Sequence, residues 1–166
     1  REVDFYGSGN GSEVKVGLNR GASGIDGLVA SSAGYSKGLN RPLTLILGDL
    51  SLLHDLNSLK LISESPKPIV LIVLNNHGGG IFSFLPISEH KDIFETYFST
   101  PHSLEFKDAA KMFKLSYFNP ESPEEFESIY LKQASADKSC IIEVNTLKED
   151  NIRVQKEWTE FLHQNR

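Results

Sequence analysis

The sequence predicts a three-layer α/β/α domain with a mainly parallel sheet. Two apolar runs, residues 43–48 and 69–75, are rich in leucine and β-branched residues and lack the in-and-out alternation of half-exposed strands. Continuous apolar runs of this length are typical of parallel strands that are covered on both faces. A segment with leucines at helical spacing separates the two runs, and Pro66 and Pro68 end it. This order of strand, helix and strand predicts a βαβ unit.

The other elements follow from the same two kinds of pattern. Ser122 is the expected N-cap of one helix, with Glu125 three residues later as its capping-box partner. Residues 77–89 are rich in glycine and then apolar, which is typical of a functional loop. Further strands are predicted at residues 13–19 and 139–146, and helices at residues 24–39, 50–63, 106–113, 122–134 and 151–164.

The composition excludes several classes of protein. The chain has 166 residues, 39% of them hydrophobic, which suits one domain with a hydrophobic core. Its net charge of −5 and the lack of a Lys/Arg stripe argue against a nucleic-acid partner. No apolar run approaches the ~20 residues that a membrane span needs. The single cysteine, Cys140, cannot form an internal disulfide and is expected to be a small buried residue of a strand.

Polar side chains follow each of the two central strands. Gly48 and Asp49 end the first apolar run, and Asn75 and Asn76 end the second. Ligands bind outside the carboxyl ends of parallel strands, and carboxylate, amide and carbonyl oxygens suit Mg²⁺. A helix that starts at this edge favours a phosphate there, and glycines 78–80 allow a close backbone approach. Two structural alternatives remain open, since Asp49 can be a helix cap and the glycines a flexible turn.

Three motifs carry a resemblance to a known family. The "GDL…NN" spacing resembles the signature with which thiamine diphosphate enzymes hold Mg²⁺ and the diphosphate of their cofactor. The segments "NRGASGIDG" (19–27), "GDLSLLHDLN" (48–57) and "NNHGGGIFSFLP" (75–86) resemble the diphosphate-binding domain of the 2-succinyl-5-enolpyruvyl-6-hydroxy-3-cyclohexene-1-carboxylate synthase family. The resemblance runs from the start of the chain to about Val144. Leu50 departs from the Gly or Ala of the wider thiamine class but suits this branch.

The resemblance implies a thiamine diphosphate-binding fold and a set of site residues. Residues 1–166 would form a single diphosphate-binding domain, a fragment of a longer chain that begins here without Met. Mg²⁺ or Mn²⁺ would be bound by the side chains of Asp49 and Asn76 and the carbonyl of Gly78. Thiamine diphosphate would be held by Ser23, Gly24, Ile25, Gly48, Asp49, Leu50, Ser51, Asn76 and Gly79. Ile25 would support the bent cofactor, and Arg20, Ile81 and Phe82 would contact substrate, with Arg1 as a weak match to a second family arginine.

The resemblance also implies a reaction and partners. The family decarboxylates 2-oxoglutarate and adds the remaining four-carbon unit to isochorismate, in menaquinone and phylloquinone biosynthesis. The activating glutamate would come from a pyrimidine-binding domain of a second subunit, so a homodimer or homotetramer is expected and no catalytic residue is assigned in this chain. The isolated chain is therefore expected to be inactive. The location would be cytoplasmic in a bacterium and plastidic in a photosynthetic eukaryote.

Three other functions remain as alternatives. The chain could be the same domain of an acetolactate synthase or oxo-acid decarboxylase, or a non-catalytic binding or dimerisation module. A Rossmann-type nucleotide binder is disfavoured because no G-x-G-x-x-G follows a strand. Among the histidines, His54 is expected to pack near the metal site and His77 is left unassigned. The other three, His90, His102 and His163, are expected at the surface.

Overall fold

The computed structural model describes residues 15–19 and 24–164, in which strands and helices alternate from Leu28 onwards. Its strands are β1 (Leu43–Gly48), β2 (Ile69–Asn75), β3 (Ser116–Phe118) and β4 (Cys140–Asn145). Its α-helices are α1 (Leu28–Leu39), α2 (Asp49–His54), α3 (Leu59–Ser63), α4 (Lys91–Phe94), α5 (Lys107–Met112), α6 (Pro123–Ala134) and α7 (Lys148–Gln164). Short 3₁₀ turns cover Leu56–Ser58, Gly80–Phe84 and Pro86–Glu89, and a π-helical turn covers Glu95–Ser99.

The four described strands form one parallel sheet in the order β1-β2-β4-β3. The bounds of β1 and β2 are those predicted from the apolar runs. The two strands are neighbours, and their register pairs Gly48 with Leu74. Both strands therefore end at the same edge of the sheet, where Asp49 and Asn76 follow them.

The core lies on both faces of the sheet. On one face, Leu71 and Ile141 pack in a cluster with residues of α1, α3 and α5, among them Val29, Ile62 and Ala110. On the other face, Val70, Ile72, Cys140 and Ile142 pack against Phe126, Ile129 and Tyr130 of α6. Alternate residues of β2 thus enter opposite clusters, as the pleat of a strand requires. Each fully buried Leu or Ile contributes about 1.5–3 kcal/mol, so helices on both faces stabilise the three-layer arrangement.

Two predicted helices differ from the structure, since one begins later than expected and the other is interrupted. The helix expected over residues 24–39 begins at Leu28, since Gly27 caps it in a left-handed conformation with φ of 71°. The helix expected over residues 50–63 is interrupted at Asp55. The Asp55 carboxylate accepts hydrogen bonds from the Ala30 N–H (2.9 Å) and the Ser58 hydroxyl, so it caps the first turn of α1 instead of continuing its own helix.

Smaller differences concern strands and caps. The predicted strand at residues 13–19 was wrong for its described part, since residues 15–19 form none, and β3 was not predicted. Ser122 caps α6 as expected and accepts from the Glu125 N–H at 3.2 Å. The Glu125 carboxylate, however, accepts from the N–H of Glu121 and not from that of the cap.

The expectation that Cys140 is a small buried residue of a strand is confirmed. Cys140 is fully buried in β4, and burial raises the pKa of its thiol to about 11. Within the described residues, no helix combines the length and apolar character that crossing a bilayer demands.

Candidate functional site

Asp49 lies at the shared edge of β1 and β2, where it begins α2. It is 2% exposed, and the position is imposed by the register that ends both strands together. Its Oδ1 accepts the Leu50 N–H at 2.7 Å, and its Oδ2 accepts the Gly78 N–H at 2.9 Å. The carboxylate therefore bridges the start of α2 and the turn that follows β2.

The amide of Asn76 links the Gly78 carbonyl to Asp49. One of its two terminal atoms lies 2.7 Å from the Gly78 carbonyl oxygen and 3.2 Å from Asp49 Oδ2, and with nitrogen in that place the amide donates a hydrogen bond to both. With the amide turned over, its oxygen takes that place and lies between a carbonyl oxygen and a carboxylate oxygen. Neighbouring oxygens around an octahedral Mg²⁺ lie about 2.9 Å apart, because each is 2.0–2.1 Å from the ion. In that second orientation the amide oxygen is spaced from the other two as the ligands of one small hard cation are.

The usual metal-binding side chains do not cluster in the part of the chain that the structure describes. No group of three His, Cys, Asp or Glu side chains there could hold a metal ion. A cation at this edge would therefore depend on the amide oxygen of Asn76 and the carbonyl of Gly78 as much as on Asp49. This is a donor set for Mg²⁺ or Mn²⁺ and not for a soft metal.

Gly78 and Gly79 lie too close to the backbone of residues 98–101 to carry a Cβ atom. Gly78 has φ of 148°, and a Cβ there would collide with the carbonyl oxygen of Ser99. A Cβ on Gly79 would lie 2.6 Å from the Phe98 carbonyl oxygen, and the Gly79 N–H donates to the Ser99 carbonyl at 2.6 Å. These two glycines make room for the backbone of residues 98–101, at the end of the π-helical turn and just beyond it. The expected close approach of the glycines to a ligand stays a prediction.

The remaining predicted site residues differ in how exposed they are. Leu50 and Ser51 are half-buried in the first turn of α2, and the Leu50 N–H is already bonded to Asp49. Ile25 and Ile81 are each 41% exposed, as pocket residues in an open site would be. Phe82 is half-buried, and its ring meets that of Phe98 edge to face at 5.9 Å. Gly48 is half-buried and Gly24 is exposed. Three further predicted residues, Arg1, Arg20 and Ser23, lie outside the described residues.

Two expectations for the histidines were wrong. His102, expected at the surface, has a side chain only 11% exposed, and its Nε2 lies 3.1 Å from Asp49 Oδ2. No local pattern could have indicated this contact, because 53 residues separate the two partners. His54, expected to pack near the metal site, is exposed at the end of α2. The exposed His77 has a positive φ of 58°, and its ring meets that of His102 edge to face at 5.8 Å.

A second buried carboxylate, Glu143 of β4, was also missed. Its Oε1 accepts from the side-chain amide of Asn75 at 2.6 Å, and its Oε2 accepts from the Phe106 N–H at 2.9 Å and the Tyr117 hydroxyl at 2.8 Å. Burial, followed by the hydrogen bond to Glu143, raises the pKa of Tyr117 well above its usual range. A single glutamate inside the apolar run of residues 140–144 was the available signal, because a buried charge needs partners.

Comparison with known families identifies the fold to which this edge belongs. The profile of the family described as "Thiamine pyrophosphate enzyme, C-terminal TPP binding domain" matches residues 20–144. The chain belongs to this family. Thiamine pyrophosphate is thiamine diphosphate by its older name, so the resemblance found in the sequence motifs is confirmed at the level of the cofactor-binding domain.

Curated relatives point to one branch of that family. The chain is 49% identical over 154 residues to the 2-succinyl-5-enolpyruvyl-6-hydroxy-3-cyclohexene-1-carboxylate synthase of Chlorobium phaeobacteroides (strain BS1), covering 92% of this chain and 26% of that protein. It is 48% identical to the synthase of the same name from Rubrobacter xylanophilus, covering 95% and 27%. The chain thus spans about a quarter of the length of these relatives.

Solved structures show the same fold at low sequence identity. Benzoylformate decarboxylase from Polynucleobacter necessarius superposes with a TM-score of 0.60 at 20% identity, covering 73% of this chain and 23% of that one. The thiamine diphosphate-dependent 4-hydroxybenzoylformate decarboxylase of Rhodococcus jostii RHA1 gives 0.58 at 22% identity, covering 72% and 22%. The predicted three-layer fold is confirmed.

Proposed function

We propose that this chain is the diphosphate- and Mg²⁺-binding domain of a synthase that decarboxylates 2-oxoglutarate and adds the resulting four-carbon unit to isochorismate. The observation that carries the proposal is the meeting of the Asp49 carboxylate, the Asn76 amide and the Gly78 carbonyl at the strand ends, in a chain 49% identical to a synthase of this name. The two curated relatives described above share that name, which gives the substrates of the proposal.

The chain's own residues would first neutralise and orient a diphosphate. The oxygens of Asp49, Asn76 and Gly78 would bind Mg²⁺ or Mn²⁺, and the ion would complete its coordination with diphosphate oxygens and water. Ser51 and Gly79, with the backbone around Gly48 and Leu50, would contact the diphosphate directly. Their positions at the start of α2 and in the turn after β2 support this role, since both lie beside Asp49.

The other end of the cofactor would be held by the segment before α1. Gly24 and Ile25, with Ser23, would contact the aminopyrimidine, and the branched side chain of Ile25 would hold the two rings in their bent arrangement. When bound, thiamine diphosphate supplies the electron sink that decarboxylation of a 2-oxo acid needs. Because Ile25 is 41% exposed in this chain, it is accessible for such a contact.

Substrate recognition would depend on one arginine and two apolar side chains. Both proposed substrates carry carboxylates, which an Arg20 guanidinium can bind through two parallel hydrogen bonds. Ile81 and Phe82, in the 3₁₀ turn after the glycines, would form the apolar wall beside the reacting carbon. The group that activates the cofactor would be a glutamate of a pyrimidine-binding domain in a second subunit, so the active form would be a homodimer or homotetramer.

The test uses the intact enzyme in which this chain is joined to its pyrimidine-binding domain. Thiamine diphosphate is titrated with and without Mg²⁺, and CO₂ release is then measured with 2-oxoglutarate plus isochorismate and with pyruvate. We expect cofactor binding that depends on the cation. We expect CO₂ release with 2-oxoglutarate plus isochorismate but not with pyruvate. Preference for pyruvate would favour an acetolactate-synthase or decarboxylase function. Cofactor binding that ignores the cation, or no binding, would favour a non-catalytic module.

The isolated 166-residue chain provides a complementary measurement. Because the activating glutamate is assigned to another domain, we expect no release of CO₂ from 2-oxoglutarate when this chain is assayed alone. Measurable synthase activity of the isolated chain would contradict the assignment of the activating glutamate to another domain.

A further inference from the structure

His102 makes a direct hydrogen bond to the carboxylate at the centre of the site. Its Nε2 lies 3.1 Å from Asp49 Oδ2, and the two side chains are 11% and 3% exposed. The other ring nitrogen, Nδ1, accepts the Leu104 N–H at 3.2 Å. An imidazole nitrogen that accepts carries no proton, so the neutral ring bears its hydrogen on Nε2 and donates it to Asp49.

The backbone around His102 is fixed on both sides. We call residues 99–106 the His102 strap. At its start, the Ser99 carbonyl accepts from the Gly79 N–H at 2.6 Å, and the His102 N–H donates to the His77 carbonyl at 3.3 Å. The strap is therefore attached to the same turn that carries the Gly78 carbonyl.

The other end of the strap is anchored in the core. The Leu104 carbonyl accepts from the Asn75 side chain at 3.0 Å, and the Phe106 N–H donates to Glu143 at 2.9 Å. Asn75 itself donates to Glu143 and ends β2. The buried carboxylate of Glu143 thus anchors the strap to β4 through Phe106 and to the end of β2 through Asn75, and the ring of His102 reaches Asp49 from this anchored segment.

We propose that His102 is a positioning residue for the divalent cation of this site. Its Nε2–H fixes the rotation of the Asp49 carboxylate, so that this group presents an oxygen toward the oxygens of Asn76 and Gly78 before the cation arrives. The inference rests on the proposed function, because it needs the cation site described above. Groups that orient metal-binding carboxylates typically change metal affinity by roughly 10- to 100-fold when they are removed.

A matched pair of substitutions separates this role from simple support of the strap. The amide nitrogen of His102→Gln can take the place of Nε2 and still donate to Asp49. The shorter His102→Asn can accept from the Leu104 N–H but does not reach Asp49. A purely structural role predicts that the Asn variant resembles wild type, whereas a positioning role predicts that the Gln variant does. His90→Asn, an exposed position at the start of α4, is the control.

The measurement is the affinity of the intact enzyme for Mn²⁺ in the presence of thiamine diphosphate, from the EPR signal of free Mn²⁺. We expect His102→Asn to weaken binding by roughly 10- to 100-fold. His102→Gln and His90→Asn should stay close to wild type. An Asn variant that binds as tightly as wild type, or a Gln variant that is impaired as much as Asn, would overturn the inference. A wild-type enzyme that binds no Mn²⁺ would instead overturn the proposed function and this inference together.

A measurement on the wild-type protein avoids any folding defect of the variants. In protein labelled with ¹⁵N-histidine, the chemical shifts of the two ring nitrogens report which of them carries the proton. We expect His102 to be the tautomer with hydrogen on Nε2, as the bond from the Leu104 N–H requires. A His102 with its hydrogen on Nδ1 could not donate to Asp49 and would overturn the inference.

Discussion

Asp49 and Glu143 are two buried carboxylates with different surroundings. Both are at most 2% exposed, and both accept hydrogen bonds from three groups. Glu143 is surrounded only by donors. Asp49 has, in addition, the Asn76 amide 3.2 Å from its Oδ2, and the same amide meets the Gly78 carbonyl. The hydrogen bonds of Glu143 come from the protein alone and suit a structural group, whereas Asp49 lies beside an amide and a carbonyl whose oxygens can share a ligand with it.

The comparison teaches that burial alone does not mark a binding site. Glu143 ties β2, the His102 strap and Tyr117 together, because its two oxygens satisfy groups from three parts of the chain. The negative charge of Asp49 lies at the sheet edge, beside an amide and a carbonyl whose oxygens can bind a hard cation together with the carboxylate. Replacing the carboxylate by an amide should therefore weaken cation binding at Asp49 and lower the free energy of unfolding at Glu143.

The largest expected effect is the loss of cation binding in Asp49→Asn. The change removes the only charged member of the three converging groups, so we expect Mn²⁺ affinity to fall by more than the roughly 10- to 100-fold typical of residues behind the ligands. The measurement is the rise in melting temperature of the intact enzyme on adding Mn²⁺ and thiamine diphosphate, which reports binding to the folded state. Asp137→Asn, at an exposed position, should keep the full rise. A full rise in Asp49→Asn would contradict the assignment.

Glu143→Gln should damage the fold directly and the site only indirectly, through the His102 strap. The new amide would direct a donor at the donors that now surround Glu143, which leaves a buried group unpaired and costs about 1–3 kcal/mol of the free energy of unfolding. Urea denaturation measures that cost. The rise in melting temperature with Mn²⁺ and cofactor should be larger than in Asp49→Asn, because the cation-binding groups themselves are intact and only one anchor of the strap that carries His102 is weakened. Glu127→Gln, exposed on α6, should unfold like wild type. An unchanged free energy of unfolding in Glu143→Gln would show that the hydrogen bonds of Glu143 do not stabilise the fold.

Tyr117→Phe should give the smallest change, because Glu143 keeps its other two donors. We expect a loss of about 0.5–1.5 kcal/mol, the typical contribution of one hydrogen bond. The pKa of Tyr117 is raised in the folded state, first by burial and then by Glu143. The folded protein therefore retains this proton more strongly than the unfolded chain, and that stabilisation is present below pH ~10 and is lost as the pH rises further. Denaturation between pH 9 and 11 should show a shallower decline in Tyr117→Phe, and an identical decline would contradict the argument.

Local patterns predicted much of the fold. The apolar runs of β1 and β2 gave their bounds, and the Ser122 cap marked the start of α6. Local patterns did not predict the structure where a contact with a distant residue determines the backbone conformation. Asp55 ends α2 because it caps α1, and the three residues of β3 are held in place by pairing with β4, which no local periodicity reports.

The site divides in the same way. Asp49 and Asn76 were predictable because parallel strands end at one edge, so two polar residues at strand ends must meet. His102 and Glu143 were not, since each acts through residues far away in the chain. The approach of the glycines to a ligand stays a prediction, and the contact of Gly78 with the strap could not be predicted because more than 20 residues separate the two.

The central claim is that the oxygens of Asp49, Asn76 and Gly78 hold the divalent cation that anchors the diphosphate. The most direct test is a crystal structure of the intact enzyme grown with thiamine diphosphate and Mn²⁺, with anomalous scattering used to locate the metal. The account predicts a peak about 2.1 Å from an oxygen of each of the three residues. A metal peak elsewhere, or a cofactor bound with none of the three residues as metal ligands, would contradict it.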